Sequence, residues 1–272
     1  MSIKHTLLTF ALLAVLLAHG QFPHMDRAKL LATHFGGKPV GNPPRITWVP
    51  QGEDARHFDH LPNKHVVTTV DTLLAKGEDE ILVFFRTSAF DVGEEGEGLM
   101  PDQLGLARYT YSPSNKTPDG WAPVRFEKWF AEEGTNGMPP KPRRVGDEGS
   151  SLFMVTSEVG DMMQSIRTER YFSLPDLKEV LTVNTSEFEE TRGGPNGPEM
   201  SMTDRAVKVI VDPANWKEFP DLEVIGGEGT DGAVVRYAWN GQLRKYVETR
   251  SAPKTVSKPG TGRPSGKPVI RK

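Results

Sequence analysis

The sequence predicts an all-β protein, either an antiparallel sandwich or an irregular propeller-like body. A short helix precedes this body and a disordered basic tail follows it. Three observations carry this expectation. Runs of β-branched and aromatic residues recur at spacings of about 10 to 20 residues, divided by Gly, Pro and Asn. Apolar spacing suited to a helix occurs only near the N-terminus, over residues 25–35. The 272-residue chain has no cysteine, so its stability must come from a buried apolar core rather than disulfides or thiolate metal sites.

The elements follow in order. In residues 25–35, Leu30, Leu31, His34 and Phe35 fall near one helical face, and Gly36-Gly37 ends the helix. Pro39, Pro43 and Pro44 force an extended connection. Strands are expected at 45–49, 65–70, 80–86, 104–111 and 121–130, the third being a continuous apolar run bounded by charge. Residues 132–150 are rich in Gly and Pro and read as a long loop or joint. Beyond it strands are expected at 151–156, 164–172, 177–185, 206–211, 222–225, 233–239 and 243–247, with a turn at 193–198. The chain thus divides into an N-terminal β half at 21–131, the joint at 132–150 and a C-terminal β half at 151–248.

Residues 1–20 read as a secretory signal peptide. Lys4 and His5 give a positive start, residues 7–17 are almost wholly apolar, and Ala18-His19-Gly20 places small residues at the cleavage positions, before Gln21. The apolar stretch falls short of the roughly 20 residues that span a bilayer, so no membrane span is expected. With no cysteine to carry a lipid, the mature protein is expected to be soluble, and periplasmic or secreted.

The net charge of −3 hides an asymmetry. Lys4 and seven tail cations supply eight positive charges, so residues 21–248 carry a net −11. Such a body repels nucleic acid and attracts basic partners. The tail, residues 249–272, has four prolines and no acid, and cannot bury enough apolar surface to offset its ordering entropy. It is a solvated extension or a tether to anionic envelope polymers.

Candidate chemistry is sparse. Asp91, Glu94, Glu95 and Glu97 lie on a Gly-containing loop, the composition a calcium ion wants, and a solvated hairpin tip reads the same way. Calcium is therefore the one cofactor weighed. Asp221, Glu228 and Asp231 form a second set of the same kind. Five histidines follow the signal, at 24, 34, 57, 60 and 65; His57, Asp59, His60 and His65 are the dense cluster, a zinc or acid–base site if on a strand and a surface loop otherwise. No Gly-x-Ser-x-Gly elbow, phosphate loop, dinucleotide fingerprint or nucleic-acid motif is present.

Asn240-Gly241 is the strongest turn signal, suited to a type I′ hairpin in which Tyr237, Trp239 and Tyr246 staple two strands. This segment resembles the closing hairpin of bacterial exported β proteins with a Tyr-x-Trp-(Asp/Asn)-Gly-x-x-Tyr pattern, some of them similar to periplasmic lysozyme inhibitors and immunity proteins. The resemblance spans about 30 residues and implies a β fold first. It also implies a non-enzymatic binding protein that inhibits, or gives immunity to, a basic cell-wall hydrolase. Two other readings stand beside it: a secreted glycan hydrolase using Asp/Glu pairs, and a calcium-stabilised structural or adhesive module.

Overall fold

The computed structural model describes residues 25–58, 65–89, 102–117, 119–133, 140–147, 149–160, 164–194, 197–212, 214–226 and 234–249. Helix α1 (Arg27–Phe35) starts where Asp26 Oδ1 accepts from the backbone N–H groups of Ala28 and Lys29 at 2.9 and 3.3 Å. It ends at Gly36, whose φ of 71° suits a residue without a Cβ. Leu30 and Leu31 are its buried pair.

Strands β1 (Arg45–Trp48), β2 (Val66–Lys76), β3 (Glu80–Ala89), β4 (Asp102–Tyr111) and β5 (Trp121–Glu133) form one antiparallel sheet in chain order. Eight more form the second: β6 (Lys141–Val145), β7 (Leu152–Gly160), β8 (Gln164–Ser173), β9 (Lys178–Gly194), β10 (Gly197–Ile210), β11 (Asp221–Gly226), β12 (Val234–Asn240) and β13 (Lys245–Thr249). Within each sheet every strand pairs with its neighbour in sequence, so the all-β expectation holds and both sheets are meanders.

The core has three layers, and β3 shows why its sequence alternates so little. Ile81, Val83 and Phe85 face one cluster with Leu30 and Leu31 of α1. Leu82 and Phe84 face the opposite cluster, where they meet Phe153, Val155 and Phe172 of the second sheet. A strand covered on both faces needs apolar side chains at every position. The second sheet repeats this logic: Leu152 and Met154 point away from the sheet interface into a third cluster with Tyr171, Leu222, Val224 and Tyr246. The third cluster therefore joins β7 and β8 to β11 and β13 across one face of the eight-stranded sheet. Each fully buried Leu, Val or Phe contributes about 1.5–3 kcal/mol relative to exposure.

Two local expectations change. The 132–150 joint contains strand β6, which pairs with β7 from Lys141↔Thr156 to Val145↔Leu152. Pro142 fits there because β6 is an edge strand, where a missing N–H costs no ladder bond on the open side. Strands β9 and β10 run well beyond the expected 177–185 and 206–211. Of the two readings of the histidine cluster the strand does not form: Gly52–Phe58 is a 3₁₀ helix, and the His57 ring lies tilted against Trp129 at 4.5 Å between centroids.

Candidate functional site

Among the described residues the longest element is the β9–β10 hairpin, and its ladder continues past the described ends of both neighbours. Strand β8 pairs with β9 only as far as Gln164↔Glu189. Strand β11 pairs with β10 only as far as Arg205↔Gly226. The β9–β10 ladder continues past both, through Met200↔Glu190 to Gly197↔Gly194. Among the described residues, residues 190–194 pair with β10 alone. The result is a two-stranded arm reaching about 15 Å beyond β8 at roughly 3.3 Å per residue. The projecting part, residues 190–200, carries Glu190 and Glu199 against the single cation Arg192, and Glu187, Glu189 and Asp204 lie at its base.

A groove of about 380 Å³ adjoins the base of the arm, across β6, β7 and β8. The cross-strand row Glu158, Arg167, Ser186 and Asp204 runs from this groove across the base of the arm. Arg167 Nη2 meets Glu158 Oε2 at 2.9 Å, and Arg143 Nη2 meets Glu169 Oε1 at 3.3 Å. The Tyr171 hydroxyl donates to Glu169 Oε2 at 2.5 Å, and burial, aided by that carboxylate, pushes this phenol far above its ordinary pKa. The groove is thus a set of paired charges anchored on a buried tyrosine. Paired ions at a rim govern orientation and encounter more than raw affinity.

The closing hairpin forms, with a turn other than the expected one. Trp239 pairs directly with Tyr246 across β12 and β13, their rings edge to face at 5.7 Å. Phe219 stacks on Trp239 at 4.0 Å, and the Tyr246 hydroxyl donates to the Pro220 carbonyl at 2.7 Å. Tyr237 sits opposite Leu222, beside the third core cluster. Asn240 pairs with Lys245, leaving a four-residue loop that begins at Gly241. Asn240 Oδ1 accepts from Gln242 N and Leu243 N at 3.0 Å each, and the positive φ falls on Arg244 at 51°. The asparagine therefore acts through its side chain, as an Asx turn, rather than through a type I′ backbone.

A second cavity, of about 220 Å³, opens between the β6–β7 turn and the connection from β10 to β11. Asp147, Asp212, Asn215, Trp216, Asp221 and Arg236 are among its walls. Trp216 is 56 % exposed yet held in place, its Nε1 donating to Asp147 Oδ2 at 2.6 Å.

The structure brings together one set of residues that resembles nucleophilic machinery. Lys76 Nζ donates to Ser151 Oγ at 2.5 Å, and Ser151 Oγ donates to the Glu218 carboxylate. Ser151 is 0 % exposed, so no substrate reaches its oxygen. The three side chains instead tie the end of β2 to the start of β7 and to the segment before β11. Among the described residues, no group of three His, Asp or Glu is arranged to hold a metal ion. His34 lies under the aromatic layer of the first sheet and His57 stacks on Trp129. Asp91, Glu94, Glu95, Glu97, Asp59, His60, Glu228 and Asp231 lie outside the described residues, as do residues 1–24 and 250–272.

No protein-family model, curated protein or solved structure matches the chain. Among the described residues, no helix is long and apolar enough to cross a membrane. Neither the arm nor the exposed Trp216 stands out in the sequence pattern. The signal for the arm was the absence of an early break between residues 177 and 193. Trp216 lies in a polar stretch between Pro213 and Pro220 with no period to mark it.

Proposed function

We propose that the chain is an exported, non-enzymatic binding protein that inhibits, or gives immunity to, a basic cell-wall hydrolase. The observation that carries this reading is the β9–β10 arm with its acidic base, which among the described residues continues past its neighbours on both sides. A narrow two-stranded projection is a shape that enters a concave enzyme cleft, and the carboxylates at its base suit a basic rim. The acidic body, net −11 over residues 21–248, speeds the same encounter by attraction. The C-terminal hairpin's resemblance to inhibitor-type proteins points the same way. The basic tail, in this reading, holds the protein near anionic envelope polymers.

The test is a peptidoglycan clearing assay with a panel of basic wall hydrolases, including a lysozyme. The protein is expected to suppress at least one of them stoichiometrically at low salt. Suppression should weaken as added salt shortens the screening length to about 8 Å and below. Glycan release by the protein alone, or full hydrolase activity across the panel, overturns the reading.

A further inference from the structure

We infer that the cavity beside Trp216 is a carbohydrate subsite that takes one uncharged sugar ring, with the indole as its stacking platform. The argument begins with how this tryptophan is held. An exposed indole on a connecting segment would ordinarily sample several rotamers. Here the Nε1–H donates to Asp147 Oδ2 at 2.6 Å, and the ring edge lies against Gly149. A Cβ at position 149 would approach Trp216 Cζ2 to 2.9 Å, so glycine is what lets the ring settle there. Asp147 is itself fixed, its Oδ1 accepting from Gly149 N at 3.1 Å. An aromatic face ordered before binding loses little entropy when a ligand arrives.

The surroundings select the ligand. The negative face of an indole attracts the polarised C–H groups of a sugar ring. Around it stand short polar groups with spare hydrogen-bonding capacity. Asp212 spends Oδ1 on Ala214 N at 3.0 Å, and the Asn215 side chain is exposed. The cations of the cavity are already matched. Lys217 Nζ reaches both oxygens of Asp221 at 3.0 Å, and Arg236 Nη2 reaches Glu223 Oε1 at 2.5 Å. A phosphate or sulfate would have to compete with these carboxylates, whereas a neutral polyol need not. The volume, about 220 Å³, is below the roughly 300–1,000 Å³ of drug-sized pockets and suits a single ring.

The experiment follows the Trp216 indole N–H resonance in the ¹⁵N-labelled protein, assigned by its loss in Trp216→Phe. Glucose, galactose, N-acetylglucosamine and sodium sulfate are titrated separately to about 50 mM, because one ring in an open site binds with a Kd of order 1 mM. The expected result is a saturable shift of that resonance with at least one sugar and none with sulfate. Gly149→Val, which displaces the indole, should abolish the shift while leaving the amide spectrum of the strands in place. Asn215→Ala, an exposed substitution, should weaken binding at least about threefold and serves if Gly149→Val fails to fold. Three results overturn the inference: no saturable shift with any sugar, an equal shift with sulfate, or sugar binding unchanged in these variants.

Discussion

His34 stacks on Phe126 with 4.2 Å between ring centroids, and its Nε2 lies 2.6 Å from the Tyr109 hydroxyl. Phe85 meets the same imidazole edge-on at 5.3 Å. Burial there lowers the His34 pKa from 6.5 to about 4 and pushes the Tyr109 hydroxyl up to about 12. Between pH 6.5 and about 4 the unfolded chain therefore binds a proton at this position that the folded chain does not. This contribution to stability is complete above pH 6.5 and is lost as pH falls toward 4. Thermal melts across that window should show a shallower pH slope in His34→Gln than in the parent. Equal slopes would mean the imidazole is free to protonate in the folded state.

The packing of Trp239 between Phe219 and Tyr246 makes it the staple of the C-terminal strands. The ring is half-buried, so Trp239→Ala should cost about 2–4 kcal/mol, slightly below the range for fully buried aromatics. Chemical denaturation measures this directly. An unchanged midpoint would reduce the aromatic set to surface decoration.

Ser151 offers a sharp distinction between a tie and a nucleophile. Its hydroxyl is enclosed and bonded to both Lys76 and Glu218. A fluorophosphonate probe should leave Ser151 unlabelled in the folded protein. Ser151→Ala should lower stability by about 1 kcal/mol, because Lys76 and Glu218, 3.7 Å apart, can still pair. Labelling at Ser151 would show an accessible, reactive hydroxyl and contradict its role as a tie.

How much of this was legible in the sequence depends on which force shaped each element. The strand at 80–86 was plain because burial on both faces demands an unbroken apolar run, as Ile81 through Phe85 supply. The helix was plain because Leu30 and Leu31 face the core and Gly36 stops it. Strand β6 was hidden by Pro142, whose cost vanishes only at an edge. The outer arm was hidden because Glu, Thr and Arg followed by Gly193-Gly194 read as a polar turn; cross-strand pairing, not burial, holds it. At Asn240 the sequence announced a turn correctly, but the asparagine's backbone and side chain offer competing ways to make one, and the side chain prevails. The cavity beside Trp216 depends on the meeting of residues 147 and 216, far apart in sequence, which no local pattern encodes.

Shortening the arm tests the functional account most directly. Glu190 and Met200 are directly paired, so residues 191–199 can be replaced by Asn-Gly, a two-residue turn suited to closing a hairpin. The body should keep its melting temperature, since the described core clusters draw nothing from that segment. The account predicts that the shortened protein loses its inhibition of the basic wall hydrolase that the parent suppresses. Inhibition undiminished in a folded, arm-shortened protein would contradict it and move the partner surface elsewhere on the body.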